Sequence, residues 1–327
     1  MLQYIARRIL LMIPTLLVIT IVTFVIIQLP PGDYLSTLLA QYSAQGETID
    51  QSRLDALTKR YGLDQPLYVQ YFKWMSGLIR GDLGVSFNWN KPVRQLIGDR
   101  LLLTFVISFS TMIIGWMLAI PIGIYSAVKQ YSIGDYLFAG FSFLGLGIQN
   151  FLLALALLWF AYSKFGVNLT GLFSSKYLDA PWSIAKVIDM LNHIWVPLVI
   201  LGTGGIAGSV RILRANLLDE LNKPYVVTAR AKGLSERKLL LKYPVRLALN
   251  PFVSTVGWQL PQLISGTTIT AIVLGLPTTG PLLLSALKTQ DMYLAGSFLM
   301  ILSFLTILGT FLSDILLGLL DPRIRFE

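Results

Sequence analysis

Long uncharged, apolar runs alternate with short charged segments along the whole chain. The runs cover residues 9–29, 101–128, 136–163, 190–210, about 251–276, and 292–313. A helix rises about 1.5 Å per residue, so roughly 20 residues cross the hydrocarbon core of a bilayer. Each run is long enough to do so. The pattern therefore predicts an all-α polytopic membrane protein with six transmembrane helices.

The charged segments divide the chain into four regions. Residues 1–29 form the N-terminus and first transmembrane helix, and 30–100 form a polar, aromatic-rich helical insertion. The core, 101–320, holds five more transmembrane helices and a charged loop at 211–250, and 321–327 is a tail. A cluster of turn residues that includes Pro277 and Gly280 is expected to end the fifth span as an external turn. Residues 282–290 then form a short return segment.

The distribution of basic residues predicts the orientation. Six spans place both termini on one side. The segments on that side hold 14 Lys and Arg, whereas the short segments on the other side hold four. Short cytoplasmic loops carry the excess of basic residues in membrane proteins, and long loops such as 30–100 are discounted. Both termini are therefore expected in the cytoplasm of a multi-pass cell-membrane protein. The first run exceeds the usual length of a signal-peptide core, which favours a retained anchor.

Composition removes several classes of protein. The chain has 327 residues, 54% of them hydrophobic and 13% charged, and its mean hydropathy is +0.66. This is the opposite of a disordered composition. With no Cys and a single His, disulfide scaffolds and thiolate or multi-His metal sites are excluded. The net charge of +9 fits a membrane surface. No nucleic-acid-binding motif accompanies the charge, so nucleic acid is not an expected partner.

The spans offer no internal source of energy for transport. Ion-coupled carriers place ionisable residues near the bilayer centre, but His193 and Asp314 fall near span ends. Residues 275–280 have the glycine spacing of a phosphate-binding loop but lack its Lys. An active transporter with this sequence would need a partner that docks on its charged loop.

Small residues in the fourth span predict close helix packing. The residues concerned are Gly202, Gly204 and Gly208, and the last two have the spacing of a packing motif. A Gly-x-Gly-x-x-Ala match at 202–207 lies inside the span with no strand around it, which favours packing over dinucleotide binding.

The charged loop contains signals for two short helices. Asn222 is a candidate cap, Pro224 suits a first turn, and Gly233 suits a C-terminal stop, which predicts a helix over 224–232. A second helix is expected over 236–243. The residues expected to share one apolar face of the first helix are Leu221, Tyr225, Thr228 and Ala229. From spacing alone, the loop could fit a partner's groove or lie on anionic lipid headgroups.

Several motifs together resemble one family. Residues 225–235 (YVVTARAKGLS) resemble the cytoplasmic EAA loop of ABC-importer permeases of the dipeptide/oligopeptide/nickel group, although Val227-Thr228-Ala229 replaces the usual Glu-Ala-Ala. The chain's opening resembles that family too, as do the segments at 30–33, 61–67, 77–86 and 320–325. Their order and spacing are similar to the first of the family's two permease types, which has the larger external insertion.

The resemblance implies a type I ABC-importer permease fold and a subunit that is not an enzyme. The expected partners are a second homologous permease, two cytoplasmic ATPases, an external solute-binding protein and membrane lipid. ATP and Mg would bind to the ATPases, with no cofactor in this chain. The residues implied in ATPase coupling are Tyr225, Thr228, Ala229, Arg230, Lys232, Gly233 and Leu234. Short peptides are the expected solute, with oligosaccharides or nickel chelates as alternatives.

Two rival functions remain open from the residues. One is an ion-coupled secondary carrier, which would transport without partners. The other is a membrane scaffold that transports nothing, in which changes at Gly233 would leave uptake intact.

Overall fold

The described part of the chain is helical. A computed structural model describes residues 2–29, 34–44, 54, 58–59, 62, 64–178, 180–252 and 268–320. Within these ranges the α-helices are α1 (Leu2–Gln28), α2 (Tyr34–Ala44), α3 (Leu67–Ile79), α4 (Val93–Val128), α5 (Ile133–Gly147), α6 (Asn150–Phe165), α7 (Ile184–His193), α8 (Trp195–Leu221), α9 (Pro224–Ala231), α10 (Glu236–Lys242), α11 (Pro244–Ala248), α12 (Thr268–Val273), α13 (Thr279–Lys288) and α14 (Met292–Leu320). The all-α prediction is confirmed.

Three described helices are long and apolar enough to cross a membrane: α4, α8 and the 292–311 part of α14. A shorter apolar stretch, 12–28, lies in α1, and α5 with α6 forms a bent apolar pair. The expected fifth span falls largely on 253–267, outside the described residues, as do the 30–33 motif and the 321–327 tail. The described helices are consistent with six spans, and that number stays a prediction.

The third apolar run is not one straight helix. It consists of α5 and α6, which are bent by 99° relative to each other. Ile148 and Gln149 between them have extended backbone conformations. Two glycines, Gly145 and Gly147, weaken the last turn of α5, because glycine costs about 1 kcal/mol relative to alanine inside a helix.

The fourth run also divides into two helices. α7 ends at His193 and α8 begins at Trp195, so the predicted start at residue 190 belongs to the preceding short helix. Pro197 in the first turn of α8 has no N–H to donate backwards, which suits a helix start and not a helix interior. His193 lies at this junction, and its Nδ1 is 2.7 Å from the carbonyl oxygen of Asp189.

The core is built around the pairing of α4 with α8. Leu213 and Leu217 of α8 are fully buried, against Ala127 of α4 and against Val245 and Ala248 of α11. Gly123 of α4 approaches α8 so closely that an added Cβ would lie 3.0 Å from the Leu213 side chain. A glycine there allows two long helices to touch along their backbones.

A second contact between α4 and the core lies near the opposite end of the helix. Thr104 accepts a 2.9 Å hydrogen bond from the backbone N–H of Thr279, and the two hydroxyls are 3.1 Å apart. Pro277 lies in the turn before α13, whereas Gly280 is the second residue of that helix, which covers most of the predicted return segment. Gly280 packs directly on Thr268, where an added Cβ would lie 2.5 Å from Oγ1. The turn is therefore held firmly against α4 and α12.

A buried carboxylate ties the insertion to the start of α14. Asp291 is completely buried and accepts hydrogen bonds from the Ser86 hydroxyl and from the N–H groups of Asn88 and Leu294. Burial raises the pKa of the Asp291 carboxyl, and these hydrogen bonds oppose the shift. Trp74 of α3 is buried in an apolar cluster with Leu294 and Phe298 of α14, so the described end of the insertion packs as part of the core.

Candidate functional site

The charged loop folds into the two short helices expected from the sequence. α9 begins at Pro224 and α10 follows Ser235, and between them Gly233 has φ +80°. That left-handed conformation is typical of a glycine that ends a helix. The predicted cap is wrong, because Lys223 occupies that position without a side-chain bond. Asn222 instead donates from Nδ2 to the carbonyl oxygen of Leu218 in the preceding helix.

A small apolar core joins α9 to α10. Val226 and Leu239 are fully buried and Ala229 nearly so, and Tyr243 packs against them. The predicted apolar face is partly wrong: Thr228 is exposed, and the buried position of that turn is Val226. Burying side chains of this size stabilises each by roughly 1.5–3 kcal/mol. The two helices therefore form one small packed unit and not a loose loop.

An open concavity of about 500 Å³ lies on this unit. It is lined by Tyr225, Thr228, Ala229, Lys232, Leu234, Tyr243 and Leu247. Five of the seven residues named from the sequence line it; Arg230 and Gly233 do not. Its walls are mostly apolar, and Lys232 at its edge is exposed. A surface of this shape can receive an apolar side chain next to an acidic one.

Two polar contacts brace the unit. Arg230 Nε donates to Glu236 Oε1 at 2.6 Å across the Gly233 turn, and Nη2 donates to Oε2 at 3.2 Å. This pair lowers the pKa of the Glu236 carboxyl and raises that of Arg230. Because both side chains are about half exposed, the pair adds little stability and mainly sets the angle between the helices.

The second contact fixes the base of α9. The Tyr225 hydroxyl donates to Glu220 at the end of α8. Burial is the larger of two causes that raise the pKa of the Tyr225 phenol, and the hydrogen bond to Glu220 is the second. The phenol therefore stays neutral and keeps donating this hydrogen bond. The α9 helix is thereby linked to α8 by a side-chain bond as well as by the chain.

The unit is joined to the membrane helices through α11. Val245 and Ala248 of α11 are buried in the same cluster as Leu213 and Leu217 of α8. Leu239 of α10 is five residues upstream of α11, with only Tyr243 between the two helices. Direct packing therefore connects the α9–α10 unit through α11 to α8 and α4.

The predicted packing glycines lie along α8. An added Cβ at Gly204 would lie 3.6 Å from the carbonyl oxygen of Gly145, and one at Gly208 would lie 3.8 Å from Leu146. An added Cβ at Gly202 would lie 3.7 Å from Thr111 of α4. These are ordinary contact distances, so the packing role of the three glycines stays a prediction. An added Cβ at Gly145 of α5 would lie 3.1 Å from the Cβ of Ala207 in α8, which is closer than at any of these three glycines.

Sequence reasoning missed several residues of the unit. Val226 and Leu239 form its core, and Tyr243 and Leu247 complete the concavity. The signal that could have identified the pair is their position near the start of each short helix: Val226 is the third residue of α9 and Leu239 is the fourth residue of α10.

Comparisons with known proteins identify the family. Residues 119–326 match the model of the binding-protein-dependent transport system inner membrane component, and residues 1–108 match that of its N-terminal part. The chain is 35% identical to the oligopeptide transport system permease protein AppB of Bacillus subtilis, with all of both chains covered. It is 30% identical to the dipeptide transport system permease protein DppB of Escherichia coli strain K12, again with full coverage.

A third relative is named for a different solute. The chain is 30% identical to the peptidoglycan transport system permease protein YejB of Agrobacterium fabrum, with 99% of this chain and 98% of that protein covered. The matches thus run from end to end and include the insertion. The chain belongs to the family of binding-protein-dependent transport system inner membrane components and is a multi-pass membrane permease subunit of an ABC importer, not an enzyme.

Proposed function

We propose that this chain forms half of a translocation pathway for short peptides. A second, homologous permease would supply the other half, and an external binding protein would deliver the solute. Two cytoplasmic ATPases would bind ATP and Mg. The full-length similarity to relatives named for oligopeptide and dipeptide transport supports the peptide assignment.

The proposed orientation puts both termini and the α9–α10 unit in the cytoplasm. The excess of basic residues on that side supports it, because cytoplasmic loops are enriched in Lys and Arg. The segment 30–100 then faces outward, together with the turn at Pro277 and Gly280. A reporter fused after Glu327 should be reached only from the cytoplasmic side, and external labelling of that reporter would contradict the orientation.

The α9–α10 unit is the proposed coupling element. Its concavity would receive an apolar side chain of an ATPase, and the exposed ammonium of Lys232 would meet an acidic residue beside it. When ATP draws the two ATPases together, the unit would move with them. The packing of α11 on α8 would carry that movement into the membrane helices, which would turn outward to receive solute. Hydrolysis would then reset them.

The concavity supplies a sharp test of docking. Thr228→Arg places a long cation in the concavity at an exposed position, so the fold should be kept. Val227→Arg is the matched control, because Val227 is the neighbouring residue of α9, is 55% exposed and does not line the concavity. We expect ATPase co-purification and peptide uptake to be lost in Thr228→Arg and kept in Val227→Arg. Equal behaviour of the two variants would refute docking through this concavity.

Two further measurements separate the rival functions. Reconstituted alone in liposomes with an ion gradient, the chain should accumulate no peptide; accumulation would identify a secondary carrier. The assembled importer should show ATP-dependent uptake of dipeptides and oligopeptides, and no uptake of oligosaccharides or nickel chelates. Uptake that persists in Thr228→Arg would point to a scaffold that takes no part in coupling.

A further inference from the structure

A small amphipathic pocket lies between the C-terminal end of α4, the length of α5 and the last part of α8. Its volume is about 210 Å³. Ligand pockets for drug-sized molecules usually measure about 300–1,000 Å³. This pocket is therefore too small for a whole solute and suits one part of a larger molecule. It is separate from the concavity on the α9–α10 unit and shares no residue with it.

The rim of the pocket carries an uncompensated positive charge. Arg214 is fully paired, since its Nε and Nη2 each donate to a carboxylate oxygen of Asp135 at 2.8 Å. Asp135 is 2% exposed and also accepts from the N–H of Tyr131 at 3.0 Å. Arg211, one turn earlier on α8, is exposed. Among the described residues it has no acidic partner, and its guanidinium lies 5.8 Å from the ring centroid of Phe143.

The walls of the pocket are apolar. Ala139, Phe143 and Leu146 of α5 form one side and Val210 of α8 the other. Exposed apolar side chains continue away from the pocket along α5, including Phe141 and Leu144. A molecule that fits must therefore combine a hydrocarbon part with an anionic end.

The position of the pocket matches the boundary between hydrocarbon and headgroups. Residues 190–210 carry no charge, and Arg211 follows immediately. At that depth an exposed guanidinium meets lipid phosphates, and basic pockets between transmembrane helices on the cytoplasmic side bind anionic headgroups. In the proposed orientation the pocket opens to the cytoplasmic leaflet, where anionic lipid is attracted by basic residues.

We propose that this pocket binds an anionic phospholipid, with the phosphate on Arg211 and the first part of an acyl chain against Phe143 and Leu146. The paired Arg214 and Asp135 are neutral together and form the floor beside the headgroup. A bound lipid would fill the space between α5 and α8 that Ala139, Phe143 and Val210 line. The proposal requires neither ATPase docking nor a particular solute.

The experiment uses the assembled importer with its ATPases and partner permease, purified in detergent. Native mass spectrometry counts bound phosphatidylglycerol, and phosphatidylcholine of the same chain length is the neutral comparison. We expect phosphatidylglycerol to be retained in preference. Arg211→Gln should weaken its retention about fivefold, the loss expected for one basic side chain near an anionic surface. Ala139→Leu, which fills the apolar wall, should also reduce retention.

Matched controls decide the outcome. Lys129→Gln removes one exposed charge just after α4, outside the pocket, and should leave retention unchanged. A large excess of inorganic phosphate should not displace the lipid, because the acyl chain contributes to binding. Equal retention of both lipids, displacement by phosphate alone, or an equal effect of Lys129→Gln would overturn the proposal, and so would a partner-permease residue occupying the pocket. ATPase co-purification, measured on the same samples, reports separately on the proposed coupling.

Discussion

Substitutions at Gly233 test the geometry of the α9–α10 unit directly. Its φ of +80° lies in the left-handed region, which costs an ordinary L-residue roughly 1–2 kcal/mol. An added Cβ would meet nothing within 4 Å, so the penalty is conformational and involves no clash. Asn tolerates this region best, and a β-branched residue tolerates it worst. The expected loss of conformational stability is therefore a few tenths of a kcal/mol for Gly233→Asn, about 1 kcal/mol for Gly233→Ala and about 2 kcal/mol for Gly233→Val.

The two backbone bonds around the turn provide the readout. The N–H of Gly233 donates to the carbonyl oxygen of Arg230 at 3.0 Å, and the N–H of Leu234 donates to the carbonyl oxygen of Ala229 at 3.4 Å. Costs of about 1 and 2 kcal/mol correspond to roughly fivefold and thirtyfold changes in the opening equilibrium. Amide hydrogen exchange at Leu234 should accelerate by about those factors in Gly233→Ala and Gly233→Val, and scarcely in Gly233→Asn.

The same series should order function. ATPase co-purification and peptide uptake should be least affected in Gly233→Asn, lower in Gly233→Ala and lowest in Gly233→Val, because the docking surface is lost when the turn opens. Gly98→Ala is the control: Gly98 also has open space around it, but it lies inside α4 with no positive φ. That substitution should leave exchange in the loop unchanged. Exchange and uptake that are the same in the Val and Asn variants would refute the reasoning.

Three other substitutions probe different parts of the structure. Leu239→Ala should destabilise the α9–α10 unit by about 2–5 kcal/mol, because Leu239 is fully buried, and protease cleavage within the loop should increase accordingly. Asp135→Asn leaves Arg214 without its anion; since Arg214 is 29% exposed and can rehydrate, we expect a loss of about 1–3 kcal/mol, measured as a lower melting temperature of the importer. Thr104→Val leaves the N–H of Thr279 without its acceptor at a cost of about 1–3 kcal/mol, and uptake should fall while ATPase co-purification is kept. Full uptake in that variant would contradict a role for this contact in transport.

Local chemistry made the loop helices predictable. Pro224 and Gly233 act through backbone restrictions that depend only on the residue itself, and the helix between them has nearly the predicted bounds. The assignment of Asn222 as a cap was wrong because an Asn side chain can bond either to the helix that follows it or to the helix that precedes it. Here it donates to the carbonyl oxygen of Leu218 in the preceding helix.

Long-range contacts were beyond the reach of sequence patterns. The Asp135–Arg214 pair joins residues 79 positions apart, and Asp291 takes hydrogen bonds from residues more than 200 positions away. In the sequence Asp135 looks like one more charge in a loop, yet it is buried against α8. Apolar runs reveal which segments enter the membrane, but not that one run breaks at Ile148 and Gln149 into two helices bent by 99°.

The length of α4 gives the fold a way to join its two ends. At about 1.5 Å per residue, its 36 residues span roughly 54 Å, more than the thickness of the hydrocarbon core. Near one end, Ala127 packs in the cluster that α11 shares with α8; towards the other, Thr104 holds the turn that starts α13. A continuous hydrogen-bonded helix transmits displacement with little bending, except where Pro121 interrupts it. Because Pro121 lies between these two contacts, movement of the loop unit would reach the far end of α4 through one helix that can bend at that residue.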